Sequence, residues 1–270
     1  MDDRPIGVFD SGLGGLTTVR ELCRLLPEED IVYFGDTGRV PYGSRSRETI
    51  VKYARQDVAF LRTFDLKTIV IACGTVSTTA LDVLAAENPI PVLGVVAPAA
   101  RAAARATRSG SIGLIGTQAS IRSGAYERLI RAENPAARVL AQPCPLFVPL
   151  VENGRFRPGD VVIETVAAEY LAPLKEAGVD TLVLGCTHYP LLEKVIGAYM
   201  GPEVRLINSG AEGARAAADC LRERDALAGP GRGSCRCFVS DRQEDFSRPA
   251  STFLGWDVAQ AVEQVDISQY

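Results

Sequence analysis

Histidine is almost missing from this chain: His188 stands alone among 270 residues. A single imidazole excludes a multi-histidine metal site. Long hydrophobic runs are missing too. None approaches the roughly 18 residues that a membrane span needs. The opening Met1-Asp2-Asp3-Arg4-Pro5 lacks a basic stretch followed by an apolar one, so no secretory signal is read there. Positive charge is not in excess, with 29 Lys and Arg against 33 Asp and Glu and a net charge of -4. That balance gives no global reason to bind nucleic acid or an anionic membrane. The phosphate-binding pattern G-x-x-x-x-G-K-[ST] does not occur, and Asp10-Ser11-Gly12-Leu13-Gly14-Gly15 fails G-x-G-x-x-G because Thr17 takes the place of the third glycine. Cys235-Arg236-Cys237 is a C-x-C with no second ligand pair, so zinc is not expected. Low-complexity tracts are absent.

What remains is an ordinary folded composition, 47% hydrophobic and 23% charged. The length corresponds to roughly two domains and lets about three quarters of the unfolded surface be buried. The seven cysteines, at 23, 73, 144, 186, 220, 235 and 237, are odd in number and scattered. Without a signal peptide they point to reduced thiols in the cytoplasm rather than a disulfide framework.

Short apolar runs alternate with helical patterns. Ile6–Phe9, Ile31–Phe34, Thr68–Ala72, Pro91–Val95, Ser111–Thr117, Val139–Ala141 and Thr181–Leu184 read as strands. Leu16, Val19, Cys23 and Leu26 recur at helical spacing, as do Ile50, Ala54, Val58 and Leu61. Further helices are predicted over about 77–86, 122–131 and 160–177, with Pro173 a candidate break in the last. A helix follows around Leu191, Val195 and Ala198, another runs through Leu221, and Gly229–Gly233 reads as a surface loop. This alternation predicts an α/β fold with mainly parallel sheets.

A weak internal repeat organises the chain. Ile6–Ser11 aligns with Ile112–Thr117 at an offset of 106, and Thr68–Cys73 with Thr181–Cys186 at an offset of 113. Two related α/β halves are expected, 1–97 plus 211–270 and 98–210, with the boundary near Ala97-Pro98 and the active site in the cleft between them. Each half carries a cysteine at the carboxyl end of a strand, where open α/β sheets bind ligands.

The same rule gathers Asp10, Ser11, Asp36, Thr75, Thr117, Thr187 and His188. If the halves face one another about a pseudo-twofold, Cys73 and Cys186 meet across one cleft. Two thiols on opposite faces of a small molecule suit inversion of a stereocentre: one takes a proton while the other supplies one. A free thiol has a pKa of about 8.5, so each needs help, and Asp10 and His188 are placed to give it. Each feature also has a plainer reading. A strand-end cysteine is often a small buried hydrophobe, and a lone histidine a structural one. The Gly-rich turn can present N–H groups to a carboxylate or be only a tight turn. Pro41-Tyr42-Gly43-Ser44 reads as a turn or a substrate-contact loop. Glu152, in Val151-Glu152-Asn153-Gly154, reads as a solvated loop residue or a carboxylate near the second site. The other five cysteines read as structural or incidental.

Together, IGVFDSGLGG (6–15), DTGRVPYGS (36–44), IACGT (71–75), GLIGT (113–117), LGCTHYPLL (184–192) and INSGAE (207–212) closely resemble the glutamate racemases of the aspartate/glutamate racemase superfamily. The resemblance implies cofactor-independent interconversion of L- and D-glutamate in the cytoplasm, supplying D-glutamate for peptidoglycan synthesis and cell shape. It implies that Cys73 acts on the D-enantiomer and Cys186 on the L-enantiomer, with Asp10 and His188 as their assistants. Asp10, Ser11, Tyr42, Gly43, Gly74, Thr75, Thr117, Thr187 and His188 match substrate-contact positions, and Glu152 matches a conditional assistant. The chain departs from the usual C-N-T at Cys73-Gly74-Thr75, which removes a side-chain amide; a backbone contact or a water would take its place. Glutamate is the expected partner, with no nucleic acid or membrane, and a homodimer is left open. Regulation through an N-terminal extension is not expected. The alternatives are a racemase for another acidic amino acid such as aspartate, a Cys/His hydrolase or transferase, and a small-ligand-binding regulator.

Overall fold

The computed structural model describes residues 1–256 and 262–270. The chain runs β1 (Ile6–Asp10), α1 (Leu16–Leu25), β2 (Ile31–Gly35), α2 (Arg47–Leu61), β3 (Thr68–Ile71), α3 (Gly74–Thr79), α4 (Leu81–Glu87), β4 (Val92–Gly94) and α5 (Val96–Ala106). It continues through β5 (Ser111–Gly116), α6 (Gln118–Ser123), α7 (Ala125–Glu133), β6 (Arg138–Pro143), α8 (Phe147–Glu152), α9 (Val161–Glu176), β7 (Thr181–Leu184) and α10 (Glu193–Met200). It ends with β8 (Arg205–Asn208), α11 (Ser209–Glu223), β9 (Cys235–Val239), α12 (Gln243–Leu254) and β10 (Val262–Gln264).

Among the described residues the strands form two all-parallel sheets, ordered β10-β9-β2-β1-β3-β4 and β6-β5-β7-β8. The second order repeats the run β2-β1-β3-β4 of the first. Register repeats as well: Ile6 pairs with Thr68 between β1 and β3, and Ile112 with Thr181 between β5 and β7. Cys73 and Cys186 each stand two residues beyond their strand, at corresponding corners of the two sheets. The α/β architecture expected from the sequence is present, with ligand-facing carboxyl ends in both halves.

The central strands are buried along their length, which is why they read as continuous apolar runs rather than alternating ones. Helices face them with periodic apolar stripes. Leu16, Val19 and Leu22 of α1 are buried, and α1 packs against α11 through the latter's Ala214, Ala217, Ala218 and Leu221. Alanines 99, 100, 103 and 104 give α5 a thin face on which α7 and α11 approach. Side-chain oxygens cap several helices: Ser46 Oγ accepts from Thr49 N, Asp160 Oδ1 from Val162 N, and Asn208 Oδ1 from Ala211 N.

Several local expectations are corrected. The helix expected over 77–86 begins at Gly74 and is interrupted at Ala80, giving α3 and α4. The one expected over 122–131 is two helices, because Gly124 adopts a left-handed φ of 62° and closes α6. Pro173 does not end α9, which runs on to Glu176. Pro173 and Glu169 are both exposed, so water can reach the carbonyl that loses its partner, while Leu171 and Leu174 stay in the core. The segment around Glu152 is the end of α8, not loop. No helix among the described residues is long and apolar enough to cross a membrane.

Candidate active site

A cavity of about 360 Å³ opens where the carboxyl ends of both sheets meet. Cys73 and Cys186 both line it. So do Ser11, Tyr42, Gly43, Gly74, Thr75, Thr117, Thr187, His188 and Glu152. Asp10 and Asp36, of the expected residues, are not on the wall; both are fully buried, Asp10 behind the Ser11-Gly12 turn and Asp36 behind Tyr42.

Around Cys73 the site is acidic and closed. Cys73 occupies the N-cap of α3, and its thiol points to Ser11 Oγ at 3.6 Å. Asp10 Oδ2 accepts from Gly12 N at 3.1 Å, and its Oδ1 lies 3.5 Å from Thr187 Oγ1 of the other half. Burial raises the Asp10 carboxyl; the His188 charge and hydrogen bonds from Gly15, Gly12 and Cys73 oppose it without cancelling it. Burial, then the neighbouring Asp10 charge, pushes the Cys73 thiol up to about 12. At neutral pH the Cys73 thiol holds its proton, with the Asp10 carboxyl group beside it.

Around Cys186 the chemistry differs. Its sulfur lies 3.9 Å from His188 Nδ1, and His188 Nε2–H donates to Glu152 Oε1 at 2.9 Å. Burial alone would lower the His188 pKa. Hydrogen bonds and charge from Cys186 and Glu152 outweigh it and raise the imidazole to about 10. His188 is therefore a cation beside a sulfur, held by a carboxylate behind it. The His188 and Phe253 rings stand nearly perpendicular, at a centroid distance of 5.4 Å. The Glu152 side chain is one-third exposed but ends α8 and is bonded to His188, so the solvated-loop reading is set aside.

Hydroxyls bridge the halves. Thr75 Oγ1 and Thr117 Oγ1 are 3.0 Å apart, and Thr17 Oγ1 donates to the Thr187 carbonyl at 2.9 Å. Tyr42 is fixed from behind. Its hydroxyl donates to Asp36, lies 3.1 Å from Asp57 Oδ2, and Arg39 ties the two carboxylates together with bonds of 2.6 and 2.9 Å. Burial, then the Asp36 charge, raises the Asp57 carboxyl well above its usual range.

Glycines let these turns touch. At Gly14 an added Cβ would fall 2.1 Å from Thr187 Oγ1 and 2.6 Å from His188 Nδ1. At Gly74 it would meet the Gly185 carbonyl oxygen at 2.6 Å, so that space is filled by protein backbone rather than open to a bridging water. At Gly43 it would press on Thr117 Cβ at 3.0 Å.

The sequence reading missed part of the wall. Cys144, Pro145, Val148 and Pro149 also line the cavity. Cys144 follows Pro143, the last residue of β6, so the carboxyl-end rule could have found it; its thiol is raised by burial. Gly14 was legible only as part of a turn. Among the described residues, no group of three or more His, Cys, Asp or Glu side chains could hold a metal ion.

The profile of the Asp/Glu/hydantoin racemases matches residues 9–217. The chain belongs to this family. Within the Asp/Glu/hydantoin racemases it is 49% identical, over 256 residues, to a glutamate racemase of Geobacter metallireducens, covering 94% of each chain. A glutamate racemase isoform of Bacillus anthracis has the same fold, with a TM-score of 0.93, 38% identity and 98% of both chains covered. A Francisella tularensis glutamate racemase solved in complex with D-glutamate gives a TM-score of 0.92 at 37% identity over 100% of both chains. Membership makes this protein an isomerase, and the resemblance noted in its motifs extends over nearly its whole length.

Proposed function

We propose that the chain interconverts L- and D-glutamate by two-base proton transfer at Cα, with Cys73 and Cys186 working from opposite faces. The observation that carries this reading is the pair of sulfurs at equivalent corners of two repeated sheets, lining one cavity. With D-glutamate, the Cys73 thiolate removes the Cα proton and the Cys186 thiol delivers one to the other face. With L-glutamate the roles exchange. Asp10 takes the Cys73 proton as the thiolate forms; His188, held by Glu152, carries the proton that belongs to Cys186, pairing as imidazolium with the thiolate and returning the proton when that sulfur must deliver one. One proton leaves carbon and one arrives, so the reaction balances with no cofactor.

Ser11, Thr75, Thr117 and Thr187 supply hydroxyls for the substrate's charged ends, and Tyr42 and Gly43 form the wall beside them. Asp10, lying behind the wall, acts through Cys73 rather than by touching substrate. The two halves, 1–97 with 211–270 and 98–210, bring one sulfur each. Glutamate identity is supported by the relatives' activity and by the Francisella complex with D-glutamate. The D-glutamate so made serves peptidoglycan synthesis in the cytoplasm.

Incubation with L-glutamate in deuterated water, without added cofactor, should label Cα of the inverted product. Cys73→Ala and Cys186→Ala should each abolish racemisation, and retained activity in either would end the two-thiol assignment. Aspartate tested at equal enzyme concentration separates the other acidic racemase; faster turnover of aspartate would replace glutamate as substrate.

A further inference from the structure

Arg39, Asp57 and Ser240 stand behind the catalytic cavity, off its wall. What they hold is the longest unbroken stretch of that wall among the described residues, 40–44. The stretch is pressed between neighbours. An added Cβ on Gly12 would fall 2.9 Å from Val40 Cγ1, and one on Gly43 would fall 3.0 Å from Thr117 Cβ of the other half. Its backbone belongs to no strand or α-helix; only the short 3-10 turns Thr37–Arg39 and Tyr42–Ser44 shape this part of the chain. A wall without ladder hydrogen bonds is placed by the side chains that grip it.

The grip comes from separate parts of the chain. Arg39 donates to Asp36 Oδ2 at 2.6 Å, to Gln56 Oε1 at 2.6 Å and to Asp57 Oδ1 at 2.9 Å, the last two on α2. Its guanidinium carbon lies 4.2 Å from the Tyr53 ring centroid. A guanidinium is a rigid planar fork, so several acceptors together fix its orientation. Ser240, just beyond β9, donates to Asp36 Oδ1 at 2.7 Å and accepts from Gly38 N at 2.9 Å. Both Asp36 oxygens are thus engaged, and one also receives the Tyr42 hydroxyl. Asp57 is fully buried, and its second oxygen lies 3.1 Å from the same hydroxyl. Burial, then the Asp36 charge, favours the neutral form of Asp57, which leaves one carboxylate for the one guanidinium. Proton transfer at Cα gives Arg39, Asp57 and Ser240 no task.

The two sulfurs fix where Cα sits. The room left for the rest of an amino acid is then set by walls that carry no sulfur, and 40–44 is the longest of them. We propose that Arg39, Asp57 and Ser240 determine substrate length: they hold 40–44 at the distance that admits glutamate and shuts out 2-aminoadipate, the acidic amino acid one methylene longer. This rests on the glutamate reading. All three are positioning residues that act through the wall and touch no substrate. One methylene against a fixed wall discriminates by about 10–200-fold, and a wall free to retreat gives up much of that.

The test is the ratio of kcat/KM for D-glutamate to that for D-2-aminoadipate, both followed by circular dichroism on one preparation of each enzyme. The ratio cancels the fraction of folded protein, so a purely structural loss does not move it. Asp57→Ala should lower it about tenfold, and Ser240→Ala severalfold. Asp57→Asn, which keeps an acceptor for Arg39, should restore it. Ser240 is half-buried, and its substitution leaves Arg39 and both carboxylates in place, so Ser240→Ala decides the matter if Asp57→Ala does not fold. An unchanged ratio in the alanine variants, or a ratio as low in Asp57→Asn as in Asp57→Ala, would overturn the assignment and leave the glutamate reading intact. A wild type without activity on glutamate would instead end that reading.

Discussion

A β-carbon on Gly74 would stand 2.6 Å from the carbonyl oxygen of Gly185. These residues flank the two sulfurs, Gly74 following Cys73 and Gly185 preceding Cys186. The sulfur-bearing turns therefore meet backbone to backbone, and their spacing depends on the missing side chain. Gly74→Ala should cost about 1–3 kcal/mol by overpacking. That corresponds to a fall in Tm of roughly 2–12 °C by thermal unfolding, at about 2–4 °C per kcal/mol. Racemisation should slow by about tenfold or more as the turns separate. Gly74→Asn, which restores the amide usual in the family's motif, should lower Tm as well. An unchanged Tm in both would show that the turns part freely.

At Gly14 the obstacles to a side chain are the Thr187 hydroxyl and, next to it, the imidazole. Gly14→Ala should displace His188 from Cys186 and lower kcat about a hundredfold, in line with losing a positioned acid–base group. Circular dichroism should show the fold retained. Normal kcat would mean that the turn yields and His188 stays.

Because His188 is the single histidine, its titration can be read directly by NMR without assignment. The ring should remain protonated to about pH 10. Glu152→Gln removes a carboxylate that raises this pKa, so the titration should move down. The stability effect follows from the sign. A folded-state pKa above the unfolded value of about 6.5 stabilises the fold below that value, and the contribution is lost as pH rises through about 10. The difference in unfolding free energy between wild type and His188→Asn should shrink over that interval. A difference independent of pH would mean that the imidazole is neutral in the fold.

Tyr42 gives the clearest test of the buried carboxylates behind the site. Tyr42→Phe deprives Asp36 and Asp57 of a shared donor while leaving the ring in place. A loss of about 1–3 kcal/mol is expected in urea unfolding, the cost of leaving a buried acceptor unsatisfied. Unfolding unchanged by the substitution would show that Arg39 alone satisfies both.

Much of the fold and the site was legible in the residues because the chemistry sits at strand ends. Apolar runs marked β1, β3, β5 and β7, and the cysteines closing two of them revealed the repeat and the cleft. Helix starts were less visible. α3 opens on Gly74-Thr75-Val76, a poor helix-forming run that tertiary contact holds in place. α8 was hidden because Pro149 lies inside Phe147–Glu152, and so Glu152 read as loop. The α5 start at Val96 was obscured by Pro98, which sits in its first turn where a missing N–H costs little. The Asp36–Arg39–Tyr42–Asp57 cluster joins residues up to 21 positions apart with no pattern of spacing. Cross-half glycine contacts are not local at all, and no periodicity could have announced them.

The two sulfurs occupy matching corners, yet one is attended by a carboxyl sealed from solvent and the other by an imidazole tied to a partly open glutamate. Mirror-image molecules have equal free energy in achiral water, so kcat/KM must agree for the two directions at every pH. The unlike attendants can then show themselves only in how each direction divides that ratio between kcat and KM. A symmetric frame thereby carries a lopsided working cycle, free to saturate at different levels for each hand of the same molecule without ever shifting their final balance.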